Sequence, residues 1–218
     1  MEQYNLKLNL YSKLSSIKNV LLDVRNYMFP IKKITNKFSS INSIEQLQNF
    51  IQERSAHVTQ TTLYGYIKTR IGSRYAMMFE DKVFSESINI AKWNIYLSSL
   101  ADCTLYTFSY LMDQKKLKDH DSVKVYFSIL DSEKQNGLNE NLITSYKNEF
   151  QVRIKTIDWK SYHKEKPFVQ SGLDLYKWAP IADELKTLDK EIVLNSIMLK
   201  WNLVENEFKE LTRNLTFN

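Results

Sequence analysis

The chain has 218 residues, 43% of them hydrophobic and 25% charged, with a formal net charge of +5. That apolar share excludes a disordered chain, and the length suits one sizeable core or at most two small ones. Four Gly and three Pro are too few for the turns of a sheet-rich protein, so an all-α fold is expected before any periodicity is read.

A mildly basic chain suits an acidic partner, nucleic acid or an anionic membrane surface, yet here acidic residues interleave with basic ones and read as solvated faces. Arginine is scarce: 24 Lys stand against 6 Arg, and three of the six, Arg54, Arg70 and Arg74, fall within 21 residues. Such clustering hints that the fork geometry of guanidinium matters there. The one cysteine, Cys103, excludes an internal disulfide framework and points to a reducing, cytoplasmic compartment. The N-terminal MEQYNLKLNL has neither a basic n-region nor an apolar h-region, so no signal peptide is expected. The stretch Trp93–Met112 is the most apolar, but Asp102 and many hydroxyls lie in it. It reads as a buried core helix rather than a transmembrane segment.

In chain order, Leu10, Leu14, Ile17, Leu21 and Val24 have helical spacing and predict a helix over 4–28, stopped by Pro30. Residues 31–42 are polar and basic, so 1–42 reads as an N-terminal helical arm and linker. The bundle domain is expected over 43–218. Ser43 and Gln46 have capping-box spacing. The apolar residues Leu47, Phe50, Ile51, Val58, Leu63 and Ile67 predict a helix that ends near Gly72. Ser85 is the expected cap of a helix running to Met112, apolar on most faces and therefore central. Asp121 or Ser122 opens a short helix that Gly137 stops. Another helix is expected over 139–157, then a loop over 158–172. Pro180 suits the first turn of a long last helix. That helix carries a seam, Val193, Ile197, Trp201, Val204, Phe208, Leu211 and Leu215, with a second row at Ile181, Leu185, Leu188 and Ile192.

The motifs of common chemistry are missing. A serine hydrolase of the α/β type needs G-x-S-x-G, and the only Gly-Ser pair, Gly72-Ser73, lacks the second glycine. Cys103 lies in the most apolar helix and reads as an inert buried thiol. The three histidines, His57, His120 and His163, form no H-x-x-x-H and no pair of E-x-x-H motifs, so no metal and no cofactor is expected. Asp119-His120-Asp121 reads as a helix start. In GYIKTRIGS six residues separate the glycines and no lysine follows the second, so it is not a P-loop. Tyr64, Lys68, Arg70 and Arg74 remain as a candidate surface for an anion or a partner, with nucleic acid a minor possibility.

Asp102 is the sharper signal, because a carboxylate inside a central helix needs a partner. If residues 43–71 and 85–112 form an antiparallel hairpin centred near residue 78, Asp102 falls opposite Arg54, with His57 one turn away. A contact between Asp102 and Arg54 or His57 is therefore expected. Asn89 and Lys92 would lie higher in the same groove. Gly65 would face Ala91 in a close approach of the two helices.

The segments FIQERSAHVTQTTLYGYIKTRIGSRYAMMFED, FSESINIAKWNIYLSSLADCTLY and LYKWAPIADELKTLDKEIVLNSIMLKWNLV resemble an uncharacterised alphaproteobacterial family of helical proteins, some of whose members carry an esterase label. The resemblance covers residues 45–110 and 173–211 and brings no catalytic residues with it. It implies a bacterial, cytoplasmic setting. The expected fold is a single-domain bundle of about six helices, with a long central antiparallel hairpin and a long C-terminal helix. Two functions are expected to compete. One is a non-catalytic protein-interaction or assembly module that uses the basic, Tyr-rich surface, or self-associates through the C-terminal helix. The other is an esterase-like hydrolase with a site near Arg54, His57 and Asp102.

Overall fold

The computed structural model describes residues 38–75, 77–117 and 121–215. The predicted helix over 4–28, most of the predicted linker, and Asp119 and His120 lie outside the described residues. Among those described there are six α-helices and no strand. They are α1 (Ile44–Ile71), α2 (Lys82–Asp113), α3 (Ser122–Ser132), α4 (Glu140–Arg153), α5 (Val169–Trp178) and α6 (Asp183–Leu211). The protein is the expected all-α bundle.

Local chemistry sets most boundaries. Ser43 Oγ accepts the Gln46 N–H at 3.1 Å, and Gln46 Oε1 accepts the Asn42 N–H at 2.6 Å, so α1 begins with two orphan donors satisfied. Gly72, at φ 70°, ends it. Asp81, not Ser85, caps α2: its carboxylate accepts the N–H groups of Val83 and Phe84. Ser85 sits one turn inside and donates to the Phe79 carbonyl. Asp121 and Asn139 cap α3 and α4. Gly137 (φ 91°) closes the short 3-10 turn Glu133–Asn136 after α3. α4 stops at Arg153 rather than 157, and α5 starts inside the predicted 158–172 loop. Ten residues with a glycine among them give too short a periodic signal to read. Pro180 precedes the last helix, which opens at Asp183.

α2 is the axis of the bundle. Every residue from Ala91 through Ser109 is buried. α1 and α5 pack along it, and α6 lies across α1 and α5. The predicted hairpin register holds. Ser55 Oγ donates to the Ser99 carbonyl and Thr59 Oγ1 to Ser99 Oγ, both at 3.2 Å. Nearer the turn, Tyr64 stacks on Phe79. The seam of α6 is also as predicted, with Val193, Ile197, Trp201, Val204 and Phe208 all buried. The second row is not: Leu188 is 76% exposed and Ile192 68%. The end of the predicted linker packs into the bundle. Ile41 is fully buried, its N–H bonds the Leu211 carbonyl, and Phe38 meets Phe50 edge-on.

The close approach expected at Gly65 is absent, because a Cβ built there meets nothing within 4 Å. The tight glycine is Gly172 on α5, where a Cβ would meet Leu194 Cδ2 at 3.2 Å and Ile197 Cγ2 at 3.4 Å on α6. The two positions should respond oppositely in urea unfolding. Gly65→Ala removes a mid-helix glycine and should raise stability by about 0.5–1 kcal/mol. Gly172→Val should lower it by about 1–3 kcal/mol through overpacking.

Candidate functional site

The residues expected to share one groove lie in separate networks. Arg54 projects from α1 to α6, where Nε and Nη2 donate to the two carboxylate oxygens of Glu207 at 2.6 and 2.5 Å. Its guanidinium also lies over the rings of Phe38 and Phe50. This is the fork geometry that the scarcity of Arg suggested. His57, one turn on, has its Nδ1 buried with no hydrogen-bond partner. Burial holds its pKa below 6.5, Arg54 and Lys200 push the same way, and Glu207 opposes them.

Asp102 does not pair with Arg54 or His57. Its Oδ1 accepts from Arg153 Nη2 at 2.5 Å, and its Oδ2 accepts the Ser171 N–H at 2.8 Å. The register arithmetic was sound, but the face was wrong. Successive residues of a helix point about 100° apart. Cys103 is the residue of α2 that turns towards Ser55 and Arg54, so Asp102 turns away, towards α4 and α5. Burial raises the Asp102 pKa despite the pull of Arg153 and of the Ser171 N–H. Arg153 Nη2 also donates to Tyr162 OH, and Trp201 Nε1 donates to Ser171 Oγ. Four segments of the chain thus converge on one carboxylate.

Lys92 belongs to another cluster. It lies over the Trp93 ring and feels the charge of Glu133, while burial lowers its pKa to about 8. Glu133 is fully buried and accepts from Gln52 at 2.6 Å, Tyr96 OH at 2.7 Å and Asn136 at 2.6 Å. Sequence reasoning missed Glu133. Its only signal was a carboxylate just before the Gln135-Asn136-Gly137 stop, where a surface charge is the ordinary reading. Asn89 is half-buried and joins none of these networks among the described residues.

The Tyr-rich basic surface is also divided. Arg70 is paired with Asp189 of α6, which also accepts from Tyr66 OH at 2.9 Å. Tyr64 is stacked on Phe79, and Lys68 lies over the Tyr75 ring. Arg74 is exposed. Lys68 and Arg74 remain as outward cations of this surface. Beside the Arg70–Asp189 pair, α1 and α6 enclose a cleft of about 250 Å³, bordered by Thr61, Gly65, Thr69, Leu175, Ile192 and Ser196. The open side of Gly65 faces this space.

Hydrolase chemistry needs an exposed nucleophile within reach of a base. Among the described residues the nearest arrangement is Ser109, His163 and Asp113. Ser109 Oγ lies 3.0 Å from His163 Nδ1, and His163 Nε2 lies 3.5 Å from Asp113. Ser109 is fully buried, however, and its Oγ is engaged with the Trp159 carbonyl and the His163 N–H. It pins the 159–163 segment to α2 and is closed to a substrate. Cys103 is buried, and burial pushes its thiol far up. No group of three or more His, Cys, Asp or Glu among the described residues is placed to hold a metal ion. No helix among them is long and apolar enough to cross a membrane.

No family model, curated protein or solved structure matches the chain.

Two outcomes are expected from the networks. Arg153→Met should lower stability by roughly 3–5 kcal/mol at pH 7, because it strands the buried Asp102 carboxylate. Arg54→Met should cost less, since Glu207 is 35% exposed and can rehydrate. Urea titration of both variants checks the order. The histidines give the pH sign. Burial holds the folded pKa of His57 and His163 below 6.5, so the unfolded chain binds the extra protons. Stability should be full above about pH 6.5 and fall as pH drops towards the folded values, at up to ~1.4 kcal/mol per pH unit for each group. Urea midpoints between pH 7 and 5.5 measure this, and His57→Gln should flatten the slope.

Proposed function

We propose that the chain is a non-catalytic protein-interaction or assembly module. The observation that supports this reading is the outer face of α6. Leu188, Ile192, Leu199 and Leu203 are 76%, 68%, 66% and 65% exposed. At 100° per residue they share one stripe about 22 Å long, on a side away from the buried seam. Single exposed leucines need no explanation, but four aliphatic side chains on one helix face, broken only by Asn195 and Ser196 at the middle, mark a contact surface. The charged residues inside the bundle support the same reading. Arg54, Asp102 and Arg70 are tied up in ion pairs and hold helices together. The esterase-like alternative loses support because Ser109, the serine set against a histidine, and Cys103 are both buried.

The single buried cysteine is in keeping with a reducing, cytoplasmic setting, and so is the resemblance to the alphaproteobacterial family. The contact surface moves, in this reading, from the Tyr-rich 62–75 segment to α6, where Arg70 contributes by fixing α1 to Asp189.

A photo-crosslinking side chain at Leu199 tests the proposal in intact cells against the same probe at exposed Lys160. A discrete cross-linked product from position 199 and none from 160 is expected, and Leu188→Lys should reduce its yield at least fivefold. Equal labelling from both positions, or none from either, would overturn the proposal.

A further inference from the structure

We infer that the partner of the α6 stripe is a second copy of this chain, with the two α6 helices antiparallel about a twofold axis between Asn195 and Ser196. The inference rests on the assembly reading above and names the partner.

The first argument is symmetry. An isologous interface needs a patch complementary to its own twofold image. Of the five exposed apolar residues of α6, Leu185 is the least exposed at 39%, and the other four, Leu188, Ile192, Leu199 and Leu203, are separated by four, seven and four positions. That spacing is the same read from either end. Leu188 and Leu203 lie equally far from the midpoint, as do Ile192 and Leu199. Antiparallel pairing therefore sets Leu188 against Leu203 of the other copy and Ile192 against its Leu199. A foreign partner would impose no such symmetry.

The second argument fixes the direction. Glu184 and Lys209 are both exposed and lie 25 residues apart, close to seven full turns, so they share one flank of α6. Antiparallel pairing brings Glu184 of each copy beside Lys209 of the other. Lys209 also reaches Glu205 in its own chain. Parallel pairing would instead put the acidic ends, Asp183 and Glu184, side by side and align the two helix dipoles unfavourably.

The third argument is the cleft between α1 and α6. Ile192 belongs both to its border and to the stripe. The opposing Leu199 would sit at its mouth, over the open side of Gly65. At about 250 Å³ the cleft falls short of the ~300 Å³ at which ordinary small-molecule pockets begin, and it is bordered largely by apolar and hydroxyl groups. An aliphatic side chain suits it. Asn195, exposed at the centre, can donate and accept, so the two copies' amides can bond and fix the register. The two stripes with their flanks bury on the order of 1,000 Å², the lower limit for a specific interface.

Sedimentation of the purified full chain across a hundredfold concentration range tests the partner. A reversible dimer is expected, weakened at least tenfold by Ile192→Lys with the helical signal unchanged, since Ile192 is exposed. Single cysteines under mild oxidation test the geometry, because Cys103 is buried. Asn195→Cys should cross-link to itself. Leu188→Cys should not, but should cross-link when mixed with Leu203→Cys. Self-cross-linking of Leu188→Cys would show parallel pairing and overturn the arrangement. A monomer at every concentration would overturn the second copy as partner. In that case a cross-link from position 199 to a different protein would still support the assembly reading, so the two failures are distinguishable.

Discussion

A helix buried on every side must settle its polar groups within the protein, and the rest of the bundle is arranged to meet that demand of α2. Across its buried stretch, Ser98 and Thr104 donate to carbonyls one turn back, Ser99 bonds across to α1, and Ser109 holds the loop before α5. These hydroxyls are cheap to satisfy, because a helix offers its own carbonyls. Asp102 is not. Its charge needs donors from elsewhere, and Arg153 from α4 and the first turn of α5 supply them. The positions of α4, α5 and the 159–163 segment follow from this one carboxylate. α6 enters the same arrangement through Trp201, which bonds Ser171 and stacks on Phe168 at 4.3 Å.

The charged residues divide into interior fasteners and surface groups. Three buried acids are surrounded by donors: Asp102 by Arg153 and the Ser171 N–H, Asp189 by Arg70 and Tyr66, Glu133 by Gln52, Tyr96 and Asn136. Among the described residues, the serine-histidine-carboxylate row from Ser109 to Asp113 runs from core to surface with its hydroxyl at the closed end.

The hairpin was readable in the sequence because two signals agree. Ser43 and Gln46 announce the start of α1, Gly72 its end, and the apolar face of the next helix fixes the register around the turn. The partner of Asp102 was not readable. Antiparallel arithmetic gives the level of a residue along a helix, whereas one residue's rotation decides which neighbour it meets, and Arg153 is 51 positions away. The outward turn of Leu188 and Ile192 was not readable for a related reason. Periodicity shows that Leu188 and Ile192 share a face, but a leucine that packs inside one chain and a leucine that faces outward have the same pattern. α5 was lost because the turn-prone 158–172 composition masked a helix whose glycine is a packing requirement.

The Arg54–Glu207 pair spans 153 positions and the Arg70–Asp189 pair spans 119. Both join the first described helix to the last. Closing loops of that size costs chain entropy before any contact is gained. During synthesis α1 and α2 can pair early, but Arg54 must wait for the last helix to leave the ribosome. Until then the Glu207 carboxylate is not there for Arg54, and the places that Trp201 and Phe208 fill in the core are empty. The bundle is therefore completed from its far end. A chain cut short within α6 would lose more than a helix, because it would expose the side of the hairpin on which the whole fold closes.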